Sequence, residues 1–280
     1  MSVHPLFCLF LLPTILSAAI PVVGRVLSVS EEERLLSVEI VRSDDASLPK
    51  DEQIDFRVSA GDAEIGYADR AIRANAVHYN ETWHLEQIFP LTGPGAKEMF
   101  RLNNELHRAT ESKGRGDYVR EGDRLPDFGM IDQNGDVLLI RDLRGRPLVM
   151  NFIFTRCQMP EMCPASSTRM AAMQEAAAKR GLNDLQFVTI TFDPEFDSPG
   201  ILRKYAEGYG MDFDNFHLLT GTEELINDLL RQFGIRTIEE NGTINHTMAT
   251  LLVDAQGKVA YRKEGSTWTV EEFLEAAAKL

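Results

Sequence analysis

The segment Leu148–Pro164, LVMNFIFTRCQMPEMCP, decides how the rest of the chain is read. Leu148 to Phe154 is almost continuously apolar, the texture of a strand buried on both faces. Cys157 and Cys163 follow as a C-x5-C loop, and Pro164 suits the first turn of a helix expected to run to about Arg180. Downstream, Gln186 to Phe192 reads as a second buried strand, Pro199 opens a helix through Tyr209, and Thr222 to Phe233 is another helix. Thr247 to Val253 and Lys258 to Arg262 are expected to pair across the turn Asp254 to Gly257. Thr269 with Glu272 forms a capping box for a last helix ending at Leu280. Upstream, Phe128 to Ile140 folds back at Asn134-Gly135, a strong hairpin signal. A strand, a cysteine loop, a helix and a second strand, closed by a hairpin and a final helix, predict an α/β thioredoxin-like domain over 124–280.

Residues 20–95 have a different texture. Val22 to Val29, Leu35 to Val41, Ile54 to Val58, Ala71 to Tyr79 and Thr82 to Phe89 are five short strand candidates, which predicts a small all-β domain, an OB-like barrel. After the break at Thr92 to Gly95, Met99, Leu102, Leu106 and Ala109 recur at helical spacing, so Ala96 to Thr110 is expected to be an amphipathic helix. Lys113 to Asp123, with three Gly and six charges, reads as a linker. Residues 96–123 are thus helix and linker. The barrel region contains no Met, and Trp83 beside His84 reads as strand packing, so no metal is assigned to it.

The net charge of −14 argues against a nucleic-acid partner, because phosphate binding needs clustered Lys and Arg. Met1 to Ala19 contains no Asp, Glu, Lys or Arg, and Leu6 to Leu16 is apolar, followed by the small residues Ser17-Ala18-Ala19. Residues 1–19 therefore read as a signal peptide, with an uncleaved membrane tether as the alternative, and the protein is expected to be exported. Cys8 lacks the small residues that precede a lipoprotein cleavage site and reads as part of the apolar leader. Removal of the leader leaves two cysteines, Cys157 and Cys163, in an oxidising compartment.

Those two thiols are a disulfide pair, a metal pair, or both in turn. Cys163 lies beside the unpaired N–H groups of a helix start, which favour a thiolate. Two thiolates on a short loop form a soft chelate suited to Cu(I). A disulfide closing so short a loop adds only roughly 2 kcal/mol. Among the histidines, His217 lies in the apolar run Phe216 to Leu219 and reads as a core or edge residue. His246 sits just before a strand whose start, in a thioredoxin plan, lies across from the cysteine loop. It is the third candidate ligand. Asp193 follows a buried strand and precedes Pro194; it is either a turn former or a carboxylate beside the metal. Met159 and Met162 add two thioethers to the loop, for which flexible packing is the plainer reading and transient contact with a metal the alternative.

Asn151 to Cys157 with Met162-Cys163-Pro164, Thr191 to Pro199, and Asn245-His246-Thr247 leading into Leu251 to Asp254 together resemble the SCO/SenC family of copper chaperones. The resemblance runs from about Gly122 to Leu280. It implies a thioredoxin fold that holds one copper ion, Cu(I) or Cu(II), on Cys157, Cys163 and His246, with a redox-active Cys157–Cys163 pair and Asp193 nearby. It further implies a periplasmic or membrane-facing protein whose partner is the cytochrome c oxidase subunit that carries the binuclear copper site. The family loop commonly has three residues between its cysteines where this chain has five, a change that bears on disulfide geometry and redox potential. A periplasmic thiol–disulfide oxidoreductase is the alternative, although C-x-x-C is its usual spacing and it gives His246 no task. A peroxidase is disfavoured because Phe154 stands three residues before Cys157, where a Thr or Ser is expected. A copper or redox sensor that switches partners is the third class.

Overall fold

A computed structural model describes residues 19–114, 116–240 and 243–280. The expected leader, 1–19, lies outside the described residues apart from Ala19. Among the described residues, no helix is long and apolar enough to cross a membrane.

The N-terminal part begins with β1 (Ile20–Ser30), β2 (Leu35–Ser43), β3 (Gln53–Arg57), the short helix α1 (Ala60–Ile65), β4 (Ala71–Tyr79) and β5 (Thr82–Pro90). The five strands close into a barrel in the order β1-β2-β3-β5-β4, with β1 antiparallel to both β2 and β4. Alternate residues point inward, so Val22, Val26, Leu36, Val38, Ile40, Phe56, Ile72, Ala74, Ala76, Leu85 and Ile88 form its core. Helix α1 was not anticipated. Ser59 caps it by accepting from the Asp62 amide, a Ser-x-x-Asp signature legible in the sequence.

Helix α2 (Ala96–Glu111) leads to β6 (Gly129–Asp132), β7 (Val137–Leu139), β8 (Leu148–Ile153), α3 (Cys163–Lys179), β9 (Gln186–Thr191), α4 (Pro199–Gly208) and β10 (Phe216–Thr220). Then come α5 (Glu223–Phe233), β11 (Thr237–Glu240), β12 (Thr243–His246), β13 (Ala249–Val253), β14 (Val259–Glu264) and α6 (Val270–Ala277). Seven strands form one mixed sheet in the order β14-β13-β8-β9-β10-β6-β7, parallel across β8, β9 and β10 and antiparallel elsewhere. Every residue of β8 and β9 is buried, as their apolar runs require. Phe152, Met150 and Ile190 pack on one face against Leu229 and Phe233 of α5. Val149 and Phe187 pack on the other against Met170 and Met173 of α3, Leu202 of α4 and Phe273 of α6. This thioredoxin-like layering puts the loop after β8 at the sheet edge where the parallel strands end.

The stretch expected to be a linker is only partly free chain. Val119 is buried, its N–H donates to the Gln232 carbonyl (2.8 Å), and the Gly122 N–H donates to the Val259 carbonyl (2.8 Å). Tyr118 lies against Gly234, and Arg262 Nη1 donates to the Val119 carbonyl at 3.1 Å. The second half of the stretch is thus held to α5 at Gln232 and to β14 at Val259 and Arg262.

The barrel is docked on the α/β part by close backbone contact. A Cβ placed on Gly61 in α1 would lie 2.1 Å from the carbonyl oxygen of Gly200 in α4, so only glycine permits this approach. Arg203 reaches Glu64 (2.9 Å) and Asn134 (2.7 Å), and Arg70 holds the carbonyl of Gly135 and the carboxylate of Asp136. Asp62 is buried beneath this contact, accepting from Tyr67 Oη (2.9 Å) and Ser59 Oγ (2.6 Å). Burial raises its pKa from 3.8 to about 6, against the lowering effect of those two hydroxyls.

Two outcomes follow from this interface. Gly61→Ala forces two backbones apart and should lower unfolding stability by about 1–3 kcal/mol in urea titration; a change under about 0.5 kcal/mol would mean the contact yields without cost. Asp62 has a folded-state pKa above its unfolded value, so its contribution is full below about pH 4 and is lost as pH rises through about 6. Asp62→Asn should therefore add roughly 2 kcal/mol at pH 7.5, with the gain shrinking toward pH 4. An equal gain at both pH values would contradict the assignment.

Candidate metal centre

Cys157 lies in the loop between β8 and α3, Cys163 is the first residue of α3, and His246 ends β12. The sequence separates the last two by 83 residues, yet Cys163 Sγ stands 3.5 Å from His246 Nε2. The sulfurs of Cys157 and Cys163 and a ring nitrogen of His246 all lie within 4.8 Å of one another, and among the described residues this is the one such cluster of three. Both cysteines are free thiols; Cys163 is fully buried and Cys157 half-buried. Asp193 is not drawn into the cluster.

His246 is delivered by a two-stranded sheet, β11–β12, in which it pairs with Thr237. The expected loop is thus a small hairpin, and its sequence signal was the Asn241-Gly242 dipeptide. Thr247 holds the base of this hairpin: its N–H donates to the Arg236 carbonyl and its hydroxyl accepts from the Arg236 N–H, both at 2.9 Å. His246 Nδ1 lies 3.1 Å from the Thr247 carbonyl, an acceptor that only an N–H can satisfy, so Nε2 keeps its lone pair toward the sulfurs. Phe154 and Phe192 flank the imidazole at centroid distances of 5.8 and 4.5 Å. Burial pushes the His246 pKa down, which favours the neutral ring that a metal requires.

Burial also reverses one expectation. The helix start was expected to favour a Cys163 thiolate, but desolvation at this fully buried position pushes its thiol well above the usual value, opposed only by a backbone hydrogen bond at Phe154.

The chain just before Cys157 is held by two carboxylates that follow β9. Asp197, fully buried, accepts from the Thr155 N–H (3.1 Å) and from the hydroxyls of Thr155 and Thr191. Burial raises the Asp197 pKa to about 6, with those donors lowering it. Asp193 binds Arg156 through Nε (2.5 Å) and Nη2 (3.2 Å), and the Arg156 guanidinium lies 5.3 Å from the Phe196 ring centroid. Asp193 therefore acts on the residue next to Cys157, and the amides of Phe196 and Asp197 donate to its carbonyl in a turn. Asp197 was missed; its signal was the repeat of Asp at positions 193 and 197 after a buried strand. Among the described residues, His217 and His84 are apart from the cluster: His217 is half-buried on β10 with Nδ1 unpartnered, its pKa pushed down to about 4 by burial, and His84 stacks on Tyr79.

Two sulfurs and one imidazole nitrogen form a soft donor set. Metal–ligand bonds of about 2.0–2.3 Å put neighbouring ligand atoms about 3.5–4 Å apart, close to the spacing seen between Cys163 and His246.

A SCO2-like protein of Rickettsia felis is 32% identical over 158 residues, covering 53% of this chain and 74% of that protein. A SCO1/SenC family lipoprotein from Bacillus anthracis is 30% identical with a TM-score of 0.53, over 58% of this chain and 98% of the other. BsSco, described as a member of the Sco family of cytochrome c oxidase assembly proteins with a disulfide switch, is 25% identical with a TM-score of 0.50, over 58% and 99% of the two chains. The SCO1/SenC family description matches residues 117–280, the cysteine loop and the histidine hairpin included, and the chain belongs to the SCO1/SenC family.

Proposed function

We propose that this chain is a copper chaperone that holds one copper ion on Cys157, Cys163 and His246 and delivers it to the binuclear copper site of cytochrome c oxidase. The observation that carries the reading is the convergence of two thiols and a neutral imidazole within 4.8 Å. Cu(I) suits the two sulfurs, and the nitrogen extends the set toward Cu(II). Kinship with BsSco, whose family is named for cytochrome c oxidase assembly, supports the recipient. The same two cysteines form a reversible disulfide when the ion is absent, in keeping with the switch described for that relative. Asp193 and Asp197 serve the site by fixing Arg156 and Thr155 at the root of the loop. Export, with cleavage or retention of the leader as a tether, accords with the lipoprotein nature of the Bacillus anthracis relative.

In this reading residues 124–280 carry the copper chemistry, 96–123 join the two parts, and 20–95 form an OB-like domain. Support for the last is the strand order β1-β2-β3-β5-β4 with a helix between β3 and β4. A thiol–disulfide oxidoreductase, with the half-buried Cys157 attacking and the buried Cys163 resolving, is the second reading, and it leaves His246 without a task.

His246→Ala separates the two functions. It should weaken Cu(II) retention about 100-fold and Cu(I) retention about tenfold, because a thiolate pair still holds Cu(I). The Cys157–Cys163 disulfide should form and reduce as before. Cys157→Ser and Cys163→Ser should each lose both behaviours. Competition with a chelator of known affinity, alongside thiol counting, reads all three variants. Unchanged affinity of His246→Ala for both oxidation states would remove His246 from the site and leave disulfide exchange as the activity to pursue.

A further inference from the structure

Met159 occupies the middle of the cysteine loop, and flexible packing was its plainer reading. A packed methionine is buried, whereas Met159 is 49% exposed. Every other described methionine is buried or half-buried, Met162 in the same loop included. The loop also keeps Met159 near the thiol that faces outward. Its carbonyl oxygen is 4.0 Å from Cys157 Sγ, and the Met162 N–H closes a turn onto that same carbonyl at 3.0 Å. A thioether on three rotatable bonds, rooted this close to Cys157, has the chain length and rotational freedom to swing toward an ion held by that sulfur. Of the three proposed ligands, Cys163 is fully buried while Cys157 and His246 are half-buried, so Met159 is the soft donor of this loop most open to solvent.

We propose that Met159 is the transfer ligand of this site, the group that first takes Cu(I) from a donor and last holds it before release. The inference rests on the copper-chaperone reading. On entry, the Sδ lone pair forms a Cu–S bond as one bond between the ion and the donor's ligand breaks. The sulfurs of Cys157 and Cys163 and the Nε2 of His246 then displace the thioether, the two thiol protons passing to water. Copper stays Cu(I) throughout and no electron moves. Thioethers are neutral ligands that bind Cu(I) well and leave without a proton, the property that a transient stop requires.

The test is stopped-flow uptake of Cu(I) by the reduced full chain from its complex with bathocuproine disulfonate, comparing wild type with Met159→Leu. Leucine keeps the bulk and removes the sulfur. The expected result is uptake slowed about tenfold, with equilibrium Cu(I) affinity and the rate of disulfide formation within about twofold of wild type. Wild type that takes up one Cu(I) while Met159→Leu does so at the same rate would overturn the transfer role alone. An affinity loss as large as the rate loss would make Met159 a resident ligand and overturn the proposal in that form. Failure of wild type to take up Cu(I) would overturn the copper reading and this inference with it.

Discussion

Cys163 Sγ and His246 Nε2 meet at 3.5 Å across 83 residues of chain, and the rest of the site depends on that meeting. Neither group finds the other through local structure. Cys163 is fixed because it opens α3, which packs through Met170 and Met173 on Val149 of β8 and Phe187 of β9, and the side chains of β8 are locked between two apolar layers. His246 is fixed because β11–β12 is pinned at Arg236 and Thr247 and because Phe154 and Phe192 grip its ring. The same burial that rigidifies the pair suppresses charge on both partners, leaving a neutral thiol beside a neutral imidazole. Such a pair is poised for an incoming cation that replaces the sulfur's proton.

The second constraint lies at the root of the loop. Asp197 is a fully buried carboxylate surrounded by three donors from Thr155 and Thr191, and Asp193 engages Arg156. Burying a carboxylate is costly unless hydrogen bonds are supplied to it, and here two of the three donors come from Thr155, just before Cys157, and the third from Thr191 at the end of β9. Any displacement of the loop root would strip donors from a buried acid. The five-residue span between the cysteines therefore starts from a rigid point, and its freedom is concentrated in Gln158 to Glu161, all of them exposed.

Much of this was legible in the sequence because the signals were strong and local. The apolar runs of β8 and β9, the Asn134-Gly135 turn and the Thr269 cap all lie where periodicity and turn chemistry put them. The cysteine loop and His246 were found through motif and placement. What escaped detection depended on tertiary context. Val119 and Gly122 read as linker because nothing in a charged, Gly-rich stretch announces that Gln232 of α5 and Val259 of β14 will accept its backbone N–H groups. Burial of Cys163, which raises its thiol pKa, is a property of packing, and the close approach of Gly61 to Gly200 is a property of two helices far apart in the chain.

X-ray absorption at the copper edge, on the reduced full chain loaded with one equivalent of Cu(I), tests the central claim most directly. The account predicts two sulfur ligands at about 2.2–2.3 Å and one nitrogen at about 2.0 Å with the outer-shell scattering of an imidazole. A first shell of sulfur alone, or of nitrogen and oxygen without two sulfurs, would contradict it.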